Sequence, residues 1–157
     1  MAFFFLDSNI IIKYYYTEPG STWVRTLIND EANICLISEI AFPEVAAALA
    51  QLRAHRRFGR LFLTSTFQRF EEAVANGLFL NQLLTTEILY HAATLALAHA
   101  IKGYDSVQIS SALATQPKIS GDLVFVSGDQ QALRVAETVG LITEDPFAHV
   151  MPEDQRR

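Results

Sequence analysis

The chain has 157 residues, 50% of them hydrophobic, which is enough for one domain that buries roughly 70% of the surface its unfolded form exposes. Twelve basic against 17 acidic residues leave a net charge of −5, which excludes non-specific coating of nucleic acid and confines such a partner to a local basic patch. The one cysteine, Cys35, excludes an internal disulfide; within Asn33-Ile34-Cys35-Leu36-Ile37 it reads as a small hydrophobe of a buried strand, in keeping with a reducing cytoplasm.

Phe3-Phe4-Phe5-Leu6 is a continuous apolar run that stops at Asp7, the pattern of a parallel strand covered by helices on both faces. No basic region precedes it, and it is too short for a signal peptide or a membrane span, so a soluble, unprocessed protein with no membrane partner is expected. Ligands of parallel sheets sit outside the carboxyl ends of the strands, which puts Asp7 where chemistry is done. Asp7 equally suits the cap of a helix that begins at Ser8. Ile10 to Tyr16 continues that helix until Glu18-Pro19-Gly20-Ser21 breaks it. A second helix presents Trp23, Leu27 and Ile28 inward and ends at Asn29-Asp30-Glu31.

Ile34 to Ile37 is the second strand. The long helix after it starts near Phe42, tolerates Pro43 in its first turn, and faces the core with Val45, Ala48, Leu49 and Leu52. Beyond Gly59, a capping-box signature at Ser65 and Gln68 marks another helix, which buries Leu63, Phe67, Phe70 and Val74 and closes at Asn76-Gly77. Leu78-Phe79-Leu80 reads as a third strand, and Thr86 to Ala100 as a helix apolar over so much of its circumference that burial is expected. His91 and His99 on that helix stand about 12 Å apart along its axis and cannot share a metal. Asp105 to Ala114 is a further helix, with Val107, Ile109 and Leu113 for packing, and Gln116-Pro117 ends it. Leu123 to Val126 is a fourth strand that runs into Ser127-Gly128-Asp129; a short helix then carries Leu133, Ala136 and Glu137, and Gly140-Leu141-Ile142 begins a fifth, edge strand. The alternation predicts an α/β fold, a three-layer α/β/α sandwich with a central parallel sheet of about five strands. One domain is expected over residues 1–150, followed by a loose polar tail at 151–157.

Four acids fall next to strand ends or helix starts: Asp7, Glu44, Asp105 and Asp129. Taken singly, each has a structural reading, as a cap or as a first-turn acid favoured by the helix dipole. Taken together on one edge of the sheet, they need a cation, because two unit charges about 4 Å apart repel by roughly 4 kcal/mol at an effective dielectric near 20. Oxygen donors alone favour Mg²⁺ or Mn²⁺, and such ions commonly share their shell with substrate phosphates.

In chain order, Leu6-Asp7-Ser8-Asn9, Glu18-Pro19-Gly20-Ser21, Glu44, Gly103-Tyr104-Asp105-Ser106-Val107-Gln108 and Val126-Ser127-Gly128-Asp129 resemble the PIN domain, and in particular the VapC-like ribonuclease toxins of type II toxin-antitoxin systems. The resemblance runs from Phe3 to about Ile142. It implies a metal-dependent endoribonuclease in which Asp7, Glu44, Asp105 and Asp129 hold Mg²⁺ or Mn²⁺, with Asp7 and Asp105 as direct ligands. It also implies an RNA substrate, a small antitoxin partner and a homodimer, the Tyr14 to Trp23 region serving as the antitoxin groove. Lys102 departs from the pattern, since many relatives carry Arg there; the charge is kept but the bidentate fork is lost.

Ser8, Asn9 and Ser127 neighbour the acids and are expected to hydrogen-bond the carboxylates or a phosphate, Ser8 serving equally as a cap. Lys13 and Lys102 are the candidate phosphate contacts, with Arg56 and Arg57 from the basic turn Arg53 to Arg60, whose other reading is dipole-complementing solvation of a helix end. Tyr14-Tyr15-Tyr16 reads as base-stacking or, for at least two of the three, as packing. A competing class is a non-catalytic PIN-like module that binds RNA or protein. Haloacid-dehalogenase-like phosphatases need a second Asp one residue after the first, and neither G-x-G-x-x-G nor G-x-x-x-x-G-K is present.

Overall fold

A computed structural model describes residues 2–56 and 59–155, with side chains described for 2–52 and 59–154. Five strands, β1 (Ala2–Leu6), β2 (Asn33–Ser38), β3 (Leu80–Gln82), β4 (Leu123–Val126) and β5 (Ile142–Glu144), form one sheet in the order β3-β2-β1-β4-β5, every pairing parallel. Parallel neighbours cannot be joined by a tight turn, so helices fill each crossover. These are α1 (Ser8–Tyr15) and α2 (Ser21–Asn29), α3 (Ala41–Arg56) and α4 (Arg60–Ala75), α5 (Thr86–His99) and α6 (Gly103–Thr115), then α7 (Gln130–Thr138).

Alternation along each strand divides the core into two layers. Leu6, Cys35, Ile37 and Val126 face one side with Ile10, Ile11, Val24, Val45 and Phe70, whereas Phe5, Leu36 and Phe125 face the other with Ile109, Ala112 and Ala136. Burial pushes the Cys35 thiol up to about 12, consistent with a packing role. Both faces of β1 are covered, which is why its sequence is an unbroken apolar run.

The chain winds outward from β1 to β3 and then returns to the opposite side of β1 for β4. The order therefore switches between β1 and β4, where the loops after the two strands part and leave a crevice. Asp7 N–H donates to Val126 O at 3.0 Å, so the two loops begin side by side. Among the described residues, no helix is long and apolar enough to cross a membrane.

Several expectations shift. The third strand lies two residues later than its apolar triplet, because Phe79 is buried beneath the helices while Leu80 begins the ladder with β2 at 47% exposure. The fifth strand starts at Ile142 rather than Gly140, whose φ of 94° belongs to the turn. Ser65 does not open a helix: α4 already starts at Arg60, and the Ser65 hydroxyl donates to Phe62 O inside it. The apolar helix α5 buries Ile88, Ala92 and Leu95 but leaves Tyr90 and Leu97 exposed. The segment after residue 150 is not loose over its described part. Asp154 is buried and accepts from the N–H groups of Gly20, Thr22 and Met151 and from the Thr22 hydroxyl, tying a 3₁₀ turn at Pro152–Gln155 to the start of α2.

Candidate metal centre

Asp7 caps α1 and belongs to the crevice at the same time. Its Oδ1 accepts from Ser8 N at 2.6 Å, while Oδ2 accepts from Asn9 Nδ2 and Ser127 Oγ, each at 2.6 Å. Asn9 also takes Gly128 N–H on its Oδ1 at 2.9 Å, and Ser127 Oγ accepts from Asp129 N at 3.1 Å. The Ser127-Gly128-Asp129 turn is thereby stitched to the first turn of α1. Asp129 in turn caps α7, taking the N–H groups of Gln131 and Ala132 on Oδ1.

Glu44 projects from the first turn of α3, where Ser8 Oγ donates to Oε2 at 2.6 Å and Gln108 Nε2 donates to the same oxygen at 2.7 Å. Gln108 Nε2 also donates to Ser8 Oγ at 2.7 Å. Asp105 lies one turn earlier on the same helix, in the first turn of α6 whose cap is Lys102, so it does not itself cap the helix. Its Oδ2 is buried and has no hydrogen-bond partner among the described residues. Buried acceptors are nearly always satisfied, and an orphaned carboxylate oxygen beside other acids is an opening for a cation.

The electrostatics agree. Burial, opposed by the Ser127 hydrogen bond and reinforced by the charges of Glu44 and Asp105, raises the Asp7 carboxyl to about 7. Burial also raises Asp105, with Asp129 and Glu44 adding repulsion and Lys102 relieving part of it. Asp129 is driven the other way: partial burial is outweighed by the Ala132 and Gln131 N–H donors and by Lys102, and its carboxyl falls below the ordinary range. The four acids thus feel one another, yet among the described residues no three His, Cys, Asp or Glu side chains are grouped closely enough to hold an ion as they stand. An all-oxygen set of this kind fits a hard divalent cation that retains water, with direct contact to some carboxylates and water between it and the rest.

The expected phosphate contacts separate. Lys102 is exposed, its Nζ 3.7 Å from Asp129 Oδ2. Lys13 is buried: its ammonium is held by Pro19 O at 3.0 Å and Glu18 Oε1 at 3.3 Å, and it stands 4.3 Å from the Phe147 ring centre, so it is not free for a phosphate. Arg56 and Arg57 have side chains outside the described residues. Tyr14, Tyr15 and Tyr16 all pack against the core layer of α1. Gln108 was not singled out for a role from sequence; its signal is the spacing from Asp105, three positions along a helix and hence on the same face.

The family model described as PIN domain matches residues 4–138. The chain belongs to the PIN domain family. Within this family it is 33% identical over 114 residues to Ribonuclease VapC45 of Mycobacterium tuberculosis, covering 73% of the chain and 77% of that relative. The PIN fold of the chain is similar to that of VapBC2 from Rickettsia felis, solved with a DNA fragment from its promoter, with a TM-score of 0.61 at 15% identity over 91% of this chain and 98% of that one. It is also similar to FitAcB from Neisseria gonorrhoeae, with a TM-score of 0.60 at 18% identity over 92% and 98%.

Proposed function

We propose that this PIN domain is a metal-dependent endoribonuclease and acts as the toxin of a toxin-antitoxin pair. The observation that carries the reading is the buried Oδ2 of Asp105, without a hydrogen-bond partner among the described residues and close enough to Asp129 and Glu44 to be raised by their charge, at the strand-order switch of the sheet. The relative named a ribonuclease supports RNA as the substrate class, and the resemblance to VapC-like toxins supports a small antitoxin as the partner.

Asp7 and Asp105 would hold Mg²⁺ or Mn²⁺, assisted by Glu44 and Asp129. When bound, such an ion lowers the pKa of a water to supply the attacking hydroxide and neutralises charge on the phosphate. The chain does the rest. Ser127 and Asn9 fix the Asp7 carboxylate, and Gln108 and Ser8 fix Glu44, so the acids meet the substrate already oriented. Glu44, on a helix and held through one oxygen, would either bind the ion or orient the water. Lys102, exposed beside Asp129, meets the RNA backbone as a single charge.

For partners, the exposed Tyr90 and Leu97, seven positions apart on one face of α5, supply an apolar face for a homodimer. Tyr90 also lines a groove of about 900 Å³ between α5 and α6. The test of function is calorimetric titration of Mn²⁺ into wild type and Asp105→Ala, beside RNA cleavage with and without EDTA. Binding lost in the variant together with EDTA-sensitive cleavage is the expected result. Absence of Mn²⁺ binding by the wild type would favour the non-catalytic RNA- or protein-binding module instead.

A further inference from the structure

Beside the acids lies a second pocket, of about 300 Å³, lined by Asn9, Lys13, Glu18, Gly128, Asp129 and Phe147. Its walls are built rather than incidental. Phe147 follows β5 on a 3₁₀ turn, Pro146–His149, and remains 46% exposed although it is an apolar ring. The ring rests on Gly128, where an added Cβ would lie 3.1 Å from it. The turn is also seated against the α1–α2 connection: Gly20 has a φ of +88°, and a Cβ there would come within 2.6 Å of Pro146 O. Asp154 then fastens the chain beyond the turn to Gly20 and Thr22.

Charge decides what the pocket can take. Lys13 is 3% exposed and its ammonium is spent on Pro19 O, Glu18 Oε1 and the face of Phe147. It orients Glu18 and the ring and offers no donor to a ligand. Glu18 lines the pocket with a side chain 33% exposed, and its second carboxylate oxygen accepts from none of the described residues. With Asp129 adjoining, a phosphate would meet net negative charge, whereas a neutral, flat group with donors along one edge is complementary to a ring and an acceptor.

We propose that this pocket receives one unpaired nucleobase next to the scissile phosphate, stacked on Phe147 and donating to Glu18, so that guanine is preferred to uracil there. A carboxylate only accepts. The Watson–Crick edge of guanine places two N–H donors side by side, adenine and cytosine offer one amino group, and uracil offers a single N3–H flanked by two carbonyl oxygens that repel the acid. Unpaired bases splayed onto aromatic side chains are the usual currency of RNA recognition. The inference rests on the ribonuclease reading.

The test uses unstructured uridine oligomers carrying a single G, A or C, cleaved by the wild type, Glu18→Gln and Phe147→Leu. The wild type should cleave the G oligomer about tenfold more efficiently than uridine alone. Glu18→Gln should bring the two within about twofold, and Phe147→Leu should raise KM about tenfold, more than it lowers kcat, a change within the range a base–aromatic stack is worth. Efficient cleavage with the same base preference in all three proteins would overturn the proposal while leaving the nuclease intact. A wild type that cleaves nothing would count against the nuclease reading, and the pocket is then judged by NMR titration of metal-free protein with guanosine and uridine. Shifts at Gly128 and Phe147 with guanosine, absent in Phe147→Leu, would uphold the pocket, and no shift would overturn it.

Discussion

Ser127 Oγ donates to Asp7 Oδ2 at 2.6 Å, joining residues 120 positions apart in sequence. This bond opposes burial by lowering the Asp7 pKa. Ser127→Ala should therefore raise that pKa above about 7 in the metal-free protein, read as the titration of the Asp7 carboxyl carbon by NMR. An unmoved titration would mean that the Ser127 hydrogen bond does not control it.

Asp7 also makes a prediction for stability without metal. Its carboxyl titrates near 7 in the fold against 3.8 for the free group. The fold therefore binds the proton more tightly, and the contribution of Asp7 to stability is best below 3.8, falling as pH rises to about 7. The full effect is on the order of 4 kcal/mol, and the burial of Asp7 justifies little discount for solvent. In EDTA, the wild type should melt at a progressively lower temperature than Asp7→Asn as pH is raised from 5 to 8. A constant difference between the two proteins would contradict the raised pKa.

Mn²⁺ should relieve the same repulsion. At a free concentration one hundred times its Kd, a bound ion adds about 2.7 kcal/mol, or about 5–10 °C in Tm for a domain of this size. Asp105→Asn should lose most of that increment and should itself be slightly more stable than the metal-free wild type, because one of the repelling charges is gone. Calorimetric scans with and without Mn²⁺ measure both effects.

Asp154→Ala removes a buried carboxylate that accepts from three backbone N–H groups and one hydroxyl. Stranding those donors should cost about 2–4 kcal/mol, observable as a lower denaturant midpoint. Hydrogen exchange should accelerate at Gly20 and Thr22 first.

On α5, Tyr90→Asp together with Leu97→Asp should leave the monomer fold intact, because both side chains are exposed. The homodimer reading requires that light scattering of the double variant drop to the mass of one chain at concentrations where the wild type is larger.

Strand identity, the parallel sheet and the acids at Asp7 and Asp129 were legible in the sequence because both faces of β1 and β4 are buried, which writes continuous apolar runs ending at polar residues. Helix α5 misled for the opposite reason: composition reports how apolar a helix is, and only packing reports which faces have a neighbour, so Tyr90 and Leu97 emerge exposed. The partnering of Gln108 with Glu44, the withdrawal of Lys13 behind Glu18, and the return of Asp154 to α2 join residues separated by 64, 5 and 132 positions. Lys13 and Glu18 are close in sequence, yet their contact depends on the turn at Gly20 and on Phe147 arriving from the far end of the chain. Periodicity is a local property of the chain and determined the elements. Hydrogen bonds and charge pairs form wherever folding brings donors and acceptors within about 3 Å, so the arrangement of the site was decided by the tertiary structure.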